Sequence, residues 1–446
     1  MDTEVLTIRD EGLGNSAYVL RAAPGVVAVV DPERDPSPYQ QAARELGGEI
    51  TTVFETHLHA DFVSGSRELA ARGATLVAPL KAGLEYAHRP IANGEEIEIG
   101  DVAMRALATR GHTPEHLAYL LLEQGTPRAL FSGGALLAGS VARTDLIAPE
   151  LTEPLLRDLY RSVRALLADL PDDLPLYPTH GAGSFCSTAF GGQSTSTLGR
   201  ERESNPVFTI DDEDDFVART IRGLGSFPRY FLRLREVNRR GPSVADAPPG
   251  LDRLSADEFR AAMADAQVID ARPIDRFGAG HIPGSLSISL RPAFASWLGW
   301  LVEPDTPLLF VLDADQDRAD LVRQCRNIGY ERLLGELTGG FEGWLQAGGE
   351  VASIPLVPAD DLSDRLVDVR QLTEFEAGHI PGALHVELGS IATATLPDGP
   401  LTLACGHGER AMTAASVLEA RGRAELSIMP GGASAWSRVT GRPLDR

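Results

Sequence analysis

The stretch VIDARPIDRFGAGHIPGSLSISL, residues 268–290, returns at residues 366–388 as LVDVRQLTEFEAGHIPGALHVEL. Both copies share D-x-R and then F-x-A-G-H-I-P-G-[SA]-L at one spacing. Each copy continues with an apolar run and a loop ending in arginine, LLFVLDADQDRA (308–319) and LTLACGHGERA (401–411). Each closes with a glycine pair and a tryptophan, TGGFEGWLQAGGEV (338–351) and PGGASAWSRVTGRPL (430–444). Such self-similarity marks one structural unit used twice. Strand-like runs alternate with helical stretches, which predicts a parallel α/β sheet in each copy. The copies span residues 252–355 and 358–446.

The second copy carries a nucleophile. Cys405 follows the apolar run 401–404, Arg410 lies five residues on, and residues 411–421 read as a helix. A strand, a glycine-rich loop and a helix start make a cradle of backbone N–H groups. Those donors and the positive helix end favour anionic sulfur, the nucleophilic form of a thiol. Gly406 and Gly408 let the loop curl with its amides inward. The pattern C-x-x-G-x-R, with the upstream D-x-R and G-H-I-P-G, resembles the rhodanese family across the whole second copy. The resemblance implies that Cys405 holds a sulfane sulfur as a persulfide, with Arg410 helping to fix the loop. The donors and acceptors it implies are a low-molecular-weight thiol persulfide, thiosulfate or sulfite. In the first copy, Asp313 stands five residues before Arg318. A carboxylate cannot carry sulfane sulfur, so this copy is expected to be an inactive rhodanese fold kept for packing or docking. Cys325, in the following helix, reads as core filling.

Upstream, GVVAVVDPE (25–33), GGEITTVFETH (47–57), DVAMRALATRGHTPEHLAYLL (101–121) and PDDLPLYPTHGAGSF (171–185) read as strands with polar ends. Three of these ends deliver His57, His112 and His180. Rigid strands that present ligands from their ends suit a metal site. The proline- and glycine-rich stretch GPSVADAPPG (241–250) reads as a linker, which sets a first domain at residues 1–245. Ser255 and Glu258 just beyond it form a capping-box pattern.

The segments T-H-x-H-x-D (56–61), G-H-T-P-E-H (111–116), FSGGALLAGSVARTDL (131–146) and YPTHGAGS (177–184) together resemble the metallo-β-lactamase superfamily, in its persulfide dioxygenase and glyoxalase II-like branch. The resemblance implies an αββα sandwich with a metal site at one edge, ahead of two rhodanese-like parallel α/β domains. Two positions depart from the family. The usual H-x-H-x-D-H ends here in Phe62, and Gly134 stands where a carboxylate is usual. In the dioxygenases one iron is held at the positions matching His57, His112 and Gly134. The residues left are His57, His59 and His112, a three-histidine site with an open position. Asp61 and His180 match second-site positions, where they could complete a shell, orient ligands or bind weakly. One metal is expected rather than two, because the bridging carboxylate is missing. Iron suits an oxidation; zinc, the alternative, has no redox chemistry. Arg143, beside Thr144 and Asp145, is placed by resemblance to bind the carboxylate of a glutathione-like substrate, with a surface ion pair as the equal alternative. Cys186 is a candidate to relay persulfide sulfur, or a small buried residue.

Composition narrows the partners. The 446-residue chain carries a net charge of −22, which repels nucleic acid and anionic lipid. No apolar run approaches the ~18 residues of a spanning helix. The N-terminal MDTEVLTIRDEGLG lacks a basic and then apolar leader, so no signal peptide is expected. Three cysteines exclude a disulfide framework and fit a reducing cytoplasm. A homodimer is left open. The combined expectation is an enzyme that oxidises a low-molecular-weight thiol persulfide to sulfite at a mononuclear metal site and transfers sulfane sulfur at Cys405. The alternatives are a thioester hydrolase of glyoxalase II type, and a sulfurtransferase with a silent N-terminal scaffold.

Overall fold

A computed structural model describes residues 4–181, 183–188, 193–244, 250–363 and 365–446. Ala182 and linker residues 245–249, both within stretches read above, lie outside the described residues. The chain divides into two compact units, Met1–Pro248 with Cys325–Gly329, and Pro249–Gln324 with Tyr330–Arg446.

The first unit holds two six-stranded sheets. One contains β1 (Val5–Asp10), β2 (Asn15–Ala23), β3 (Gly25–Val30), β4 (Gly48–Phe54), β5 (Thr75–Pro79) and β6 (Arg89–Ile91), side by side in that order. The other contains β7 (Glu96–Ile99), β8 (Val102–Leu107), β9 (Ala118–Glu123), β10 (Thr126–Gly133), β11 (Pro175–Pro178) and β12 (Ser196–Thr197), also in sequence order. Strand residues alternate between faces, and both faces of these sheets are covered. Tyr18, Leu20, Ala28 and Val30 point into a core shared with Met104, Tyr119, Leu121 and Phe131 of the second sheet. Their neighbours Ala17, Val19, Val27 and Val29 face Tyr39, Ala42 and Ala43 of the helix Ser37–Glu45. Leu120 and Leu130 face Leu156, Leu159 and Val163 of the helix Thr152–Leu166. The order helix, sheet, sheet, helix is the αββα sandwich. This explains why β3 reads as an unbroken apolar run.

The second unit holds two parallel sheets, one per repeat. The first has the order β13 (Arg253–Leu254), β17 (Leu333–Leu337), β16 (Leu308–Val311), β14 (Gln267–Asp270), β15 (Leu286–Ser287). The second has the order β19 (Leu384–His385), β18 (Leu366–Asp368), β20 (Leu401–Ala404), β21 (Leu426–Met429). Read in the same direction, β17-β16-β14-β15 and β21-β20-β18-β19 are one topology. The capping box at Ser255 and Glu258 forms as expected, with Ser255 N donating to Glu258 Oε2 at 2.9 Å.

The shared motif turns out to be structural. Asp270 takes Arg272 in a two-pronged pair, Nε to Oδ1 at 2.9 Å and Nη2 to Oδ2 at 2.6 Å, and Nη2 also donates to Gly280 O at 2.8 Å. Asp368, Arg370 and Gly378 O repeat the arrangement at 2.9, 2.6 and 2.8 Å. His281 stacks on Phe277 at 3.8 Å and His379 on Phe375 at 3.7 Å between centroids. The second glycine of each closing pair is left-handed, φ 58° at Gly340 and 64° at Gly432. A Cβ there would fall 2.7 Å from Leu312 O or 2.2 Å from Cys405 O, so only glycine lets this turn close on the loop. Among the described residues, no helix is long and apolar enough to cross a membrane.

Candidate metal centre and sulfur loop

Strand ends of the sandwich build the first site. His57 follows β4, His112 follows β8, Gly134 follows β10 and His180 follows β11. The helix Phe231–Arg240 pins the loops between them. Asn238 Nδ2 donates to His59 O and Phe62 O, both at 2.8 Å. Arg235 forks onto Glu115 at 2.7 and 2.8 Å, and Glu115 accepts from Leu58 N at 3.1 Å.

Ring nitrogens of His57, His112 and His180 lie within 4.8 Å of one another. The hydrogen bonds around them assign tautomers. Thr56 Oγ1 donates to Asp31 Oδ2 at 2.7 Å, so it accepts from His57 Nδ1 at 2.8 Å. His112 Nδ1 donates to Arg143 O at 2.7 Å. His180 Nδ1 donates to Asn15 Oδ1 at 3.1 Å. The Nε2 atoms are left facing inward, and those of His57 and His180 stand 3.3 Å apart. Burial, reinforced by neighbouring rings, pushes His57 well below its usual range and His112 down to about 3. A neutral imidazole with an inward lone pair is the form that binds a cation, so the donor set fits a metal.

His59 lies differently from the expected set with His57 and His112. Its Nε2 is 2.9 Å from Glu55 Oε2 and 3.3 Å from Asp31 Oδ1, and its ring stacks on Phe62 with centroids 4.2 Å apart. These are ion-pair distances without hydrogen-bond alignment, since both His59 nitrogens lack an aligned partner. Burial alone would lower His59, but Asp31 and Glu55 outweigh it and raise the group to about 10. Asp31 itself is saturated by Thr56 N, Thr56 Oγ1 and Thr179 Oγ1. Asp61 is 1% exposed, and neither carboxylate oxygen has a hydrogen-bond partner. Its Oδ2 is 3.1 Å from His180 Nδ1, within ion-pair range but off the hydrogen-bond line. Burial opposes its ionisation, yet His180 and His59 hold its carboxyl well below the usual carboxylate range. His116 serves the backbone instead: its Nε2 accepts from Gly134 N at 2.9 Å.

Of the two readings of Arg143, the structure shows an ion pair, and a buried one. Its guanidinium forks onto Asp145 at 2.7 and 2.8 Å, donates to Phe185 O and Gly225 O, and lies over the Phe227 ring. Buried and saturated, it braces the loops rather than offering a fork to a substrate carboxylate. Cys186 is buried, and burial together with Asp61 pushes its thiol well up, which keeps it protonated. Burial pushes the Cys325 thiol up as well, in keeping with core filling. Asp31, Glu55 and Asn15 escaped the sequence reading. Glu55 stands just before the histidine motif, and Asp31 ends a buried strand, which were the available signals.

The second site lies where β20 meets the helix Glu409–Ala420. Cys405 Sγ accepts from Gly408 N at 3.1 Å, directly at the helix start. Arg410 forks onto Glu374 at 2.6 and 2.8 Å. The helix is buried from Ala411 to Leu418 because the first repeat covers its other side. Thr413 Oγ1 donates to Ser287 O at 2.6 Å, Ser287 N donates to Ser416 Oγ at 3.0 Å, and His281 meets Glu419 at 2.7 Å. In the first repeat the corresponding loop is filled by its own side chains. Gln316 Oε1 accepts from Asp313 N at 2.9 Å while its Nε2 donates to Ala271 O at 2.7 Å. Arg318 folds onto Asp313 O at 2.8 Å and pairs with Glu336 at 2.9 Å.

Residues 10–180 match the metallo-beta-lactamase superfamily, and residues 255–347 and 357–439 match the rhodanese-like domain. The chain belongs to the metallo-β-lactamase superfamily and carries tandem rhodanese-like domains after that fold. Human mitochondrial persulfide dioxygenase ETHE1 is 30% identical over 190 residues, 42% of this chain and 68% of that protein. The chain thus spans about two thirds of that relative's length. A hydroxyacylglutathione hydrolase of Rhodopseudomonas palustris is 30% identical over 252 residues, 50% of this chain and 93% of that protein. A crystal structure described as a metallo-beta-lactamase from Staphylococcus aureus subsp. aureus COL superposes with a TM-score of 0.67 at 26% identity, covering 76% of this chain and 99% of that one.

Proposed function

We propose that this chain is a sulfur-metabolism enzyme in which Cys405 carries sulfane sulfur and the N-terminal domain oxidises a low-molecular-weight thiol persulfide to sulfite. The observation that carries the reading is the Gly408 N–H aimed at Cys405 Sγ, 3.1 Å away, at the start of a buried helix. A thiolate held by a backbone amide and a helix N-terminus is stabilised without a covalent partner. It attacks the outer sulfur of thiosulfate or of a persulfide. The S–S bond breaks, sulfite or thiolate leaves with the electron pair, and Cys405 is left as a persulfide. An acceptor nucleophile then takes the terminal sulfur and returns the thiolate. Arg410, fixed by Glu374, keeps positive charge beside the loop while the sulfur is anionic.

His57, His112 and His180 would hold a mononuclear metal. Bound iron supplies one-electron chemistry toward dioxygen, and bound zinc supplies Lewis acidity. The protein's own part is to fix the orientation of those rings, with Nδ1 of each held by Thr56, Arg143 O and Asn15, and to shield them from solvent. Oxidation of one persulfide consumes one dioxygen and one water and yields thiol, sulfite and two protons. A hydrolysis of glutathione thioesters is the second reading, favoured by the hydroxyacylglutathione hydrolase relative of near full-length coverage.

The test combines mass spectrometry with an oxygen electrode. Thiosulfate or a glutathione persulfide should add the mass of one sulfur to the wild type at Cys405 and nothing to Cys405→Ser. Absence of that adduct ends the sulfur-transfer reading. Oxygen uptake with glutathione persulfide supports the dioxygenase; oxygen-independent thioester cleavage without uptake supports the hydrolase.

A further inference from the structure

Position 134 cannot take back the side chain that the family pattern calls for. An ideal Cβ on Gly134 would fall 2.3 Å from His112 Cδ2 and 2.8 Å from its Cγ. The His112 ring stands in that space, anchored by its 2.7 Å bond to Arg143 O. Across the cluster, His180 brings its Nε2 to 3.3 Å from that of His57. We propose that His180 has assumed the ligand role given up at position 134, so that one divalent cation is held by His57, His112 and His180, while His59 is a structural partner of Asp31 and Glu55. The inference rests on the reading that the cluster binds a metal and names which residues hold it.

Three observations converge on this set. Two ring nitrogens with outward hydrogen bonds and facing lone pairs repel at 3.3 Å unless a proton or a cation sits between them. Asp61 is buried, has no hydrogen-bond partner on either oxygen, and stands 3.1 Å behind His180 Nδ1. A buried carboxylate without a partner marks a place for an ion or an ordered water. Acidic side chains also line the cluster: Asp31 and Glu55 stand beside His59, and Asp61 beside His180, all of them buried. Two rival groupings of close donor atoms, Asp31 with His57 and His59, and His59 with Asp61 and His180, are weaker. Asp31 is saturated by Thr56 and Thr179, and His59 faces Glu55 and Asp31 with Phe62 stacked on its ring.

The experiment titrates the chelator-stripped full-length protein with cobalt(II) against a chromophoric chelator, with elemental analysis for stoichiometry. The wild type should take up one ion per chain. His180→Ala and His112→Ala should each weaken binding by about 100-fold or more, and His59→Gln should stay within about tenfold of wild type. Gly134→Asp, which restores the family ligand, should weaken binding because the new side chain displaces His112. His180→Asn and Gly134→Ala are the second variants should either first choice fail to fold, judged by circular dichroism without metal. His180 variants that bind like the wild type, or a Gly134→Asp protein that binds more tightly, overturn the inference and leave the metal reading intact. A wild type that takes up no cobalt overturns the metal reading itself.

Discussion

In the first rhodanese-like repeat Asp270 grips Arg272, Arg272 grips the Gly280 carbonyl, and His281 stacks on Phe277. In the second, Asp368, Arg370, Gly378, His379 and Phe375 do the same at matching distances. The two separate only at the loop after the central strand. There one repeat presents Cys405 with an amide on its sulfur, and the other has filled its amides and carbonyls with Gln316 and Arg318. The comparison separates residues that make the fold from residues that make the chemistry. The long shared motif belongs to the first kind.

The largest effect should come from exchanging the loop residues. Cys405→Asp should reduce thiosulfate-dependent sulfur transfer by on the order of 10³-fold or more. Asp313→Cys should gain none, since Gln316 already occupies the Asp313 amide. Transfer appearing in Asp313→Cys would mean that the nucleophile alone separates the repeats. Next come the forks. Asp270→Ala leaves the Arg272 guanidinium, 4% exposed, without its carboxylate, and should cost about 3–5 kcal/mol in denaturant unfolding. Asp368→Ala should cost less, since Arg370 is 11% exposed. Equal losses would show that burial does not set the difference.

The smallest effect concerns Glu374. Partial burial works against its ionisation, but Arg410 outweighs this and holds its carboxyl below the usual carboxylate range. A depressed carboxylate stabilises the fold above its unfolded pKa, about 4.3, and loses that contribution as pH falls through the folded value. Glu374→Gln should therefore lower the unfolding temperature slightly and evenly from pH 5 upward. The gap to wild type should close as pH drops below about 4. A gap that widens in acid would break the assignment.

The fold was open to a reader of the sequence because its signals are local. Gly25 to Val30 reads as a strand covered on both faces, and the Ser255–Glu258 pattern reads as a helix start; both are set by neighbours a few residues away. The candidate site was only partly open. The chain announced that His57, His112 and His180 sit at strand ends, but which ring faces which depends on side-chain direction. His59 was grouped with His57 because a single residue separates them in H-x-H. Glu55 and Asp31 draw it aside, and Asp31 comes from a different strand. Arg143 read equally as a substrate-binding guanidinium and as an ion pair, because Phe185 and Gly225, which also hold it, are far along the chain.

By itself the sequence determined the alternation of strands and helices, the internal repeat and the single cysteine in a glycine-rich turn, since periodicity and glycine placement act over short range, while the two architectures were what the family resemblance implied. The tertiary structure alone decided which of the ten histidines share a centre, which one is bound up with carboxylates, and why position 134 has no room for a side chain. Those outcomes depend on distances of a few ångströms between side chains on different strands and loops, His57 and His180 being 123 positions apart, and no local pattern encodes them.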